Sequence, residues 1–205
     1  MKATAIGLVR SGSVAIEPGD EGHRHTDFKS AAIQRVAAEL RQRLREAKPG
    51  VIVPLMLDGS ELSASCLAAV LGPALGDIVS GAVPGRFIVG IDPAGRNAWD
   101  ADAALRKEST TVGRKLVCVW LTADDTHELV GAVDDQVKSS YEFALSRWVK
   151  SALPTTARDL AESGGLTIQA ASNRLAKASA AGLLHAADRE AVAGGGSQYL
   201  FIPVG

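Results

Sequence analysis

The sequence predicts an α/β protein: a small sheet-and-helix domain followed by a helix-turn-helix unit that ends in a β-hairpin. Three observations predict it. Val51–Leu57, Phe87–Ile91 and Leu116–Leu121 are short, continuous apolar runs bounded by turn residues, the pattern of buried strands in a covered sheet. Segments with helical periodicity alternate with these runs, which argues for helices layered on that sheet. Beyond Lys150 two short helical patterns are separated by Ser163-Gly164-Gly165, and a strand–glycine–strand pattern follows.

Bulk properties bound the answer. The chain has 205 residues, of which 46% are hydrophobic and 22% charged, the make-up of a globular protein of one large or two small domains. A core of useful size is available without disulfides or metals. The formal net charge of −1 excludes a uniformly basic nucleic-acid protein, so any DNA contact must come from local patches. Cys66 and Cys118 lie far apart in apolar contexts and read as buried thiols of a reducing compartment. Arg10 arrives too soon for a signal-peptide apolar region, and no run approaches the roughly 18 apolar residues of a membrane span. A cytoplasmic chain without a membrane association or cofactor is expected.

Element by element, Ala3–Val9 and Ser13–Glu17 read as short β-like runs, and Pro18–Gly22 as a loop. Thr26 is a candidate N-cap for a helix whose apolar face is Ile33, Val36, Ala37, Leu40 and Leu44. Its other face carries Arg35, Arg41, Arg43 and Arg45, and Pro49-Gly50 stops it. Pro54 lies inside the first buried run and predicts an edge position or a bulge. Ser63–Ser80 and Ala101–Thr110 have helical character. A long helix is expected from about Glu128 to Lys150, with Val133, Val137, Tyr141, Ala144 and Trp148 on one face. The expected organisation is a first domain over residues 1–127, a connecting helix over 128–152 and a second domain over 153–205.

In the second domain Thr156 caps a short helix through Glu162, with Asp159 suited to its positive end. Thr167 caps a second helix, with Ile168, Ala171, Leu175 and Ala178 as its expected buried stripe and Gly182 as its stop. Leu183-Leu184-His185 and Gln198–Ile202 are the expected hairpin strands, with Gly194-Gly195-Gly196 at the tip. Thr156–Glu162, then Ala170–Leu175, then Ala181–Leu184 resemble bacterial winged helix-turn-helix transcription regulators in order and spacing. The resemblance covers about a quarter of the chain. Gly164 stands where such proteins carry a large apolar residue.

That resemblance implies a DNA-reading second helix with Gln169, Ala170, Asn173, Arg174 and Lys177 facing outward. Gln and Asn pair bidentately with adenine, which gives Gln169 and Asn173 base-reading roles. Arg174 and Lys177 are placed as phosphate clamps that set register. Arg189 and Ser197 extend the candidate surface onto the hairpin. From Leu153 to Gly205 four basic residues (Arg158, Arg174, Lys177, Arg189) face four acidic ones (Asp159, Glu162, Asp188, Glu190). A neutral module implies a shallow salt dependence, which a homodimer on double-stranded DNA would steepen.

Val51–Ser60, followed by Ser63-Ala64-Ser65-Cys66-Leu67 and Leu71-Gly72, resembles a STAS-like domain. In that group a strand ends in an aspartate, a serine-containing turn follows and a helix packs back on the sheet. The resemblance implies partner binding switched by serine phosphorylation. Ser65 is nearest the switching position and Ser63 next, while Ala64 stands where switching proteins carry an acid. The plain alternative is that both serines are helix caps.

Other candidates are weaker. His23 and His25 have no second cluster at metal-ligand spacing, and His127 and His185 are isolated, so no metal site is expected. Asp92 and Asp58 lie at strand ends, but two carboxylates alone specify no reaction, and no catalytic set emerges. The sequence therefore favours a DNA-binding transcriptional regulator whose first domain senses, binds a partner or dimerises. The alternative is a protein-interaction adaptor, a STAS-like signalling module whose winged helix docks a protein while the arginine face contacts an acidic partner, since Lys29–Lys48 holds six basic residues against two acidic ones. An enzyme with a site near Asp92 is the third.

Overall fold

The computed structural model describes residues 9–10, 13–15, 24–57, 59–123, 126–191 and 197–205. The Pro18–Gly22 loop, His23, Asp58, the hairpin tip Gly194–Gly196 and most of the first β-like runs lie outside them. In chain order the elements are β1 (Val9–Arg10), β2 (Val14–Ala15), β3 (Arg24–His25), α1 (Ala31–Glu46), β4 (Val51–Met56) and β5 (Glu61–Leu62). Then follow α2 (Ala64–Val79), β6 (Phe87–Ile91), α3 (Ala98–Val112), β7 (Val117–Leu121), β8 (His127–Gly131) and α4 (Asp135–Ser151). The last are α5 (Ala157–Gly164), α6 (Ile168–Ala180), β9 (Leu184–Ala191) and β10 (Ser197–Pro203). The protein is mixed α/β, as its sequence predicts.

The main sheet runs β1-β4-β6-β7-β8, with β2 sharing the β1 side of β4. All its ladders are parallel except β7 with β8. Parallel strands laid down in chain order, with crossovers of one hand, send every connecting helix to the same face. Accordingly α1, α2 and α3 share one core with Val53, Leu55, Ile88, Cys118 and Trp120. Among the described residues the strand order does not reverse, so these strands do not form the switch-point crevice of doubly wound sheets.

The other face would be bare without the C-terminal half of the chain. Ile52, Phe87, Val89, Val117, Val119 and Leu121 point to it, alternating with the residues that meet the first core. They pack with Val137, Tyr141 and Ala144 of α4, Leu160 of α5, Leu175 of α6 and Phe201 of β10. One core thus runs from the sheet into the helix-and-hairpin unit. This explains why the strands read as unbroken apolar runs: both of their faces are covered.

Pro54 lies within β4, which has neighbours on both sides, so it does not take the edge position that the sequence allows. Val51 and Ile52 pair with β1, Leu55 and Met56 with β2, and Pro54 itself with Val89 of β6. The described ladders with β1 and β2 do not include Pro54, which has no N–H to offer.

Three boundaries differ from expectation. Ser30, not Thr26, caps α1, its Oγ accepting from Ile33 N at 3.4 Å. Asp27 holds the preceding turn, its carbonyl accepting from Ser30 N and its carboxylate from Lys29 N. α3 begins at Ala98, before the expected Ala101. The long helix begins at Asp135, because Glu128 to Gly131 belong to a strand. Leu129 and Val130 face opposite cores, and Gly131 adopts φ 108°, which no helix accommodates.

Candidate nucleic-acid interface

The candidate surface is built by α5, α6 and the hairpin. Thr156 and Asp159 form a reciprocal cap on α5: Asp159 N donates to Thr156 Oγ1 at 3.2 Å, and Thr156 N donates to Asp159 Oδ2 at 2.9 Å. Arg147 braces this cap from α4, with Nη2 3.3 Å from Asp159 Oδ1 and Nε donating to the Pro154 carbonyl at 3.1 Å. Gly165 closes α5 in the left-handed region at φ 61°. Leu166 reaches back beside Gly164, where a Cβ would stand 3.4 Å from it, and joins the second core.

Thr167 caps α6, its Oγ1 accepting from Ala170 N at 3.2 Å. Ala171, Leu175 and Ala178 form the buried stripe. Ile168, expected in that stripe, is 55% exposed. It lies in the first turn of α6. Gly182 follows α6 at φ 79°, against Ile78.

The outward face divides in two. Gln169 and Asn173 are exposed, and Gln169 Nε2 donates to Asn173 Oδ1 at 3.1 Å. The two amides therefore lie side by side on successive turns, each with hydrogen-bonding capacity to spare. Arg174 is half-buried and Lys177 exposed. Both border a groove of about 360 Å³ whose opposite wall is Asp134 and Asp135, at the start of α4. Lys115 forms an ion pair with Asp134. Two acids beside two cations reduce the local positive potential, an arrangement the sequence does not announce because the partners lie some forty residues apart.

On the hairpin, β9 and β10 pair antiparallel, with a register shift between Leu200 and Phe201. Arg189 lies over the Tyr199 ring, 4.4 Å from its centroid, and donates to the Tyr199 hydroxyl. Ser197 is exposed at the first position of β10. Tyr199, unremarked in the sequence, is what holds Arg189 in place. Its signal was there: Tyr199 pairs directly with Arg189 once the hairpin register is set.

At the hairpin base His185 meets Phe87 edge-on, with ring centroids 5.6 Å apart. Burial holds its imidazole below the ordinary histidine range. Burial also pushes the Cys118 thiol up to about 12, which makes it inert as a nucleophile at neutral pH.

The remaining candidates disperse. Ser63 caps α2, its Oγ accepting from Cys66 N at 3.4 Å. Ser65 is exposed one turn position on, its Oγ 2.9 Å from that of Ser63. Asp92 is fully buried, and its carboxylate accepts from Asn97 N, Asn97 Nδ2 and Trp120 Nε1. Asn97 in turn donates to the Ser60 carbonyl and accepts from Leu62 N. This network ties the loop after β4 to the loop after β6 and leaves Asp92 facing protein groups. On α1, Arg41 and Arg45 share the one carboxylate of Asp77 and Arg43 pairs with Glu39, so the arginine face is partly compensated and stays net positive. Among the described residues no three His, Cys, Asp or Glu side chains gather as metal ligands, and no helix is long and apolar enough to cross a membrane. No family model, curated protein or solved structure matches the chain.

Proposed function

We propose that the chain is a DNA-binding transcriptional regulator, with α4, α5, α6 and the β9–β10 hairpin as a winged helix-turn-helix and the α/β part as a STAS-like module. One observation carries the proposal: Gln169 and Asn173 project side by side from the first turns of a helix whose opposite face is locked into the core. The first turns of a recognition helix are those nearest the base edges in the major groove. Asn173 and Gln169 then read bases, Lys177 and Arg174 contact phosphate, and Arg189 and Ser197 meet the backbone from the hairpin.

A two-fold dimer matches such a helix to two half-sites about one DNA turn apart. Val149, 70% exposed, and Leu153, 51% exposed, offer apolar surface for it at the end of α4. Light scattering of the protein with and without DNA tests this part, and a monomer in both conditions removes it.

The decisive experiment is retention of DNA from the protein's own promoter region across a salt series. Wild type is expected to bind with affinity that falls as salt rises, and Asn173→Ala combined with Lys177→Ala to abolish retention. Losing one phosphate contact lowers the slope of log K against log salt by about 1. Wild-type protein that retains no DNA at low salt sinks the proposal and favours a protein-docking adaptor.

A further inference from the structure

Between the end of α2, the loop into β6, the outer side of α6 and the hairpin lies an open cleft of about 470 Å³. Sites for small organic ligands span roughly 300–1,000 Å³. Its apolar wall is assembled from distant parts of the chain: Ile78 and Val79 from α2, Phe87 from β6, Tyr199 and Phe201 from β10. Arg86 lines the same cleft. Its Nε donates to the Ala47 carbonyl and its Nη1 to the Pro84 carbonyl, both at 2.9 Å. Two such bonds fix the guanidinium plane while leaving three of its five N–H donors. Among the described residues no carboxylate pairs with it.

A pre-oriented guanidinium beside an aromatic and aliphatic wall suits a ligand that is flat and apolar at one end and anionic at the other. We infer that this cleft binds a small aromatic carboxylate, with Arg86 holding the carboxylate and Ile78, Val79, Tyr199 and Phe201 covering the ring. A nucleic-acid backbone is a poorer occupant, because most of the wall is carbon. Ala176 and Ala180 of α6 also line the cleft, so a ligand there touches the candidate reading helix, the hairpin and the α/β part at once. The binding site stands without the DNA proposal. Only its use as an effector site, altering how α6 and the hairpin meet DNA, rests on that proposal.

The test is titration of the full chain with 2-naphthoate and with its neutral counterpart 2-naphthamide, followed by calorimetry and amide chemical shifts. Naphthoate is expected to bind at least about tenfold more tightly, the worth of one hydrogen bond to a charged group. Shifts are expected to centre on Val79, Arg86, Ala176 and Tyr199. Arg86→Gln is expected to erase the preference between the probes. Tyr199→Ala, which leaves both carbonyl partners of Arg86 in place, is expected to weaken the two probes alike. Equal affinity of wild type for the probes, no binding of either, or shifts centred elsewhere overturns the site. Should Arg86→Gln fail to fold, the wild-type pair and Tyr199→Ala still decide. DNA retention measured with saturating naphthoate separates the two proposals. Retention unchanged by naphthoate removes the effector role, and no retention even without naphthoate, in a protein that binds naphthoate, removes the DNA proposal alone.

Discussion

The Tyr141 hydroxyl donates a 2.9 Å hydrogen bond to the Val204 carbonyl, joining α4 to the segment after β10 across 63 residues of sequence. The phenol is almost wholly buried, and burial raises its pKa far beyond the ordinary tyrosine range, so it remains a donor at any working pH. Removing the hydroxyl leaves the Val204 carbonyl short of a partner in an apolar setting. Tyr141→Phe is therefore expected to cost about 1–3 kcal/mol of stability. Urea unfolding of the two proteins measures it, and indistinguishable midpoints would show that another donor, such as water, serves that carbonyl.

Gly90 and Trp120 make a second tight fit on the opposite face of the sheet. A Cβ at Gly90 would stand 2.2 Å from Trp120 Cε3, well inside contact distance. The indole is fully buried and held by Asp92 Oδ2 at 3.4 Å, so it has little room to move. Gly90→Ala is expected to destabilise by about 1–3 kcal/mol or more, as overpacked cores do. In a chain of this size each kcal/mol lowers Tm by roughly 2–4 °C, and calorimetry reads the result. A melting temperature equal to wild type contradicts the packing.

Much of this architecture was legible in the sequence, for identifiable reasons. Val51–Leu57, Phe87–Ile91 and Leu116–Leu121 are apolar throughout because residues such as Val119 and Trp120 face different cores, and that pattern survives in one dimension. The caps Thr156, Thr167 and Gly182 were legible because capping is local chemistry. What covers the second face was not, since only long-range packing sets Leu160 and Phe201 against Val89. The start of α4 is not legible because the apolar residues of His127–Gly131 suit either period. At the candidate surface, the exposure of Gln169 and Asn173 followed from the stripe of Ala171, Leu175 and Ala178. The acids facing Arg174 and Lys177 followed from nothing nearby.

His185 gives the fold a pH dependence of defined sign. Its pKa is lowered in the folded protein by burial. Above the ordinary histidine value of about 6.5 both states hold the ring neutral and nothing is lost. As pH falls through that value toward the folded pKa, the unfolded chain takes up a proton that the native state resists, and stability declines. Unfolding free energy is expected to drop as pH falls through about 6.5, the unfolded value, and His185→Gln to lose less over the same range. Parallel curves for the two proteins would assign the decline to other groups.

The acids opposite α6 supply the sharpest check on where DNA would lie. Asp134 is engaged by Lys115, whereas Asp135, in the first turn of α4, shares the groove with Arg174 and Lys177. A phosphate approaching the two cations meets the Asp135 charge, and effective attraction falls accordingly. Asp135→Asn removes that charge with little change in shape, at the modest cost of an acid lost from the first turn of α4. If the backbone of bound DNA passes this groove, the substitution is expected to tighten DNA retention several-fold at low salt, with the gain fading as salt rises. Glu46, exposed on α1 across the sheet from α6, provides the contrast: Glu46→Gln makes the same charge change away from the candidate DNA surface. Equal gains from both substitutions would reduce the effect to net charge, and no gain from Asp135→Asn would move the DNA path off Arg174 and Lys177.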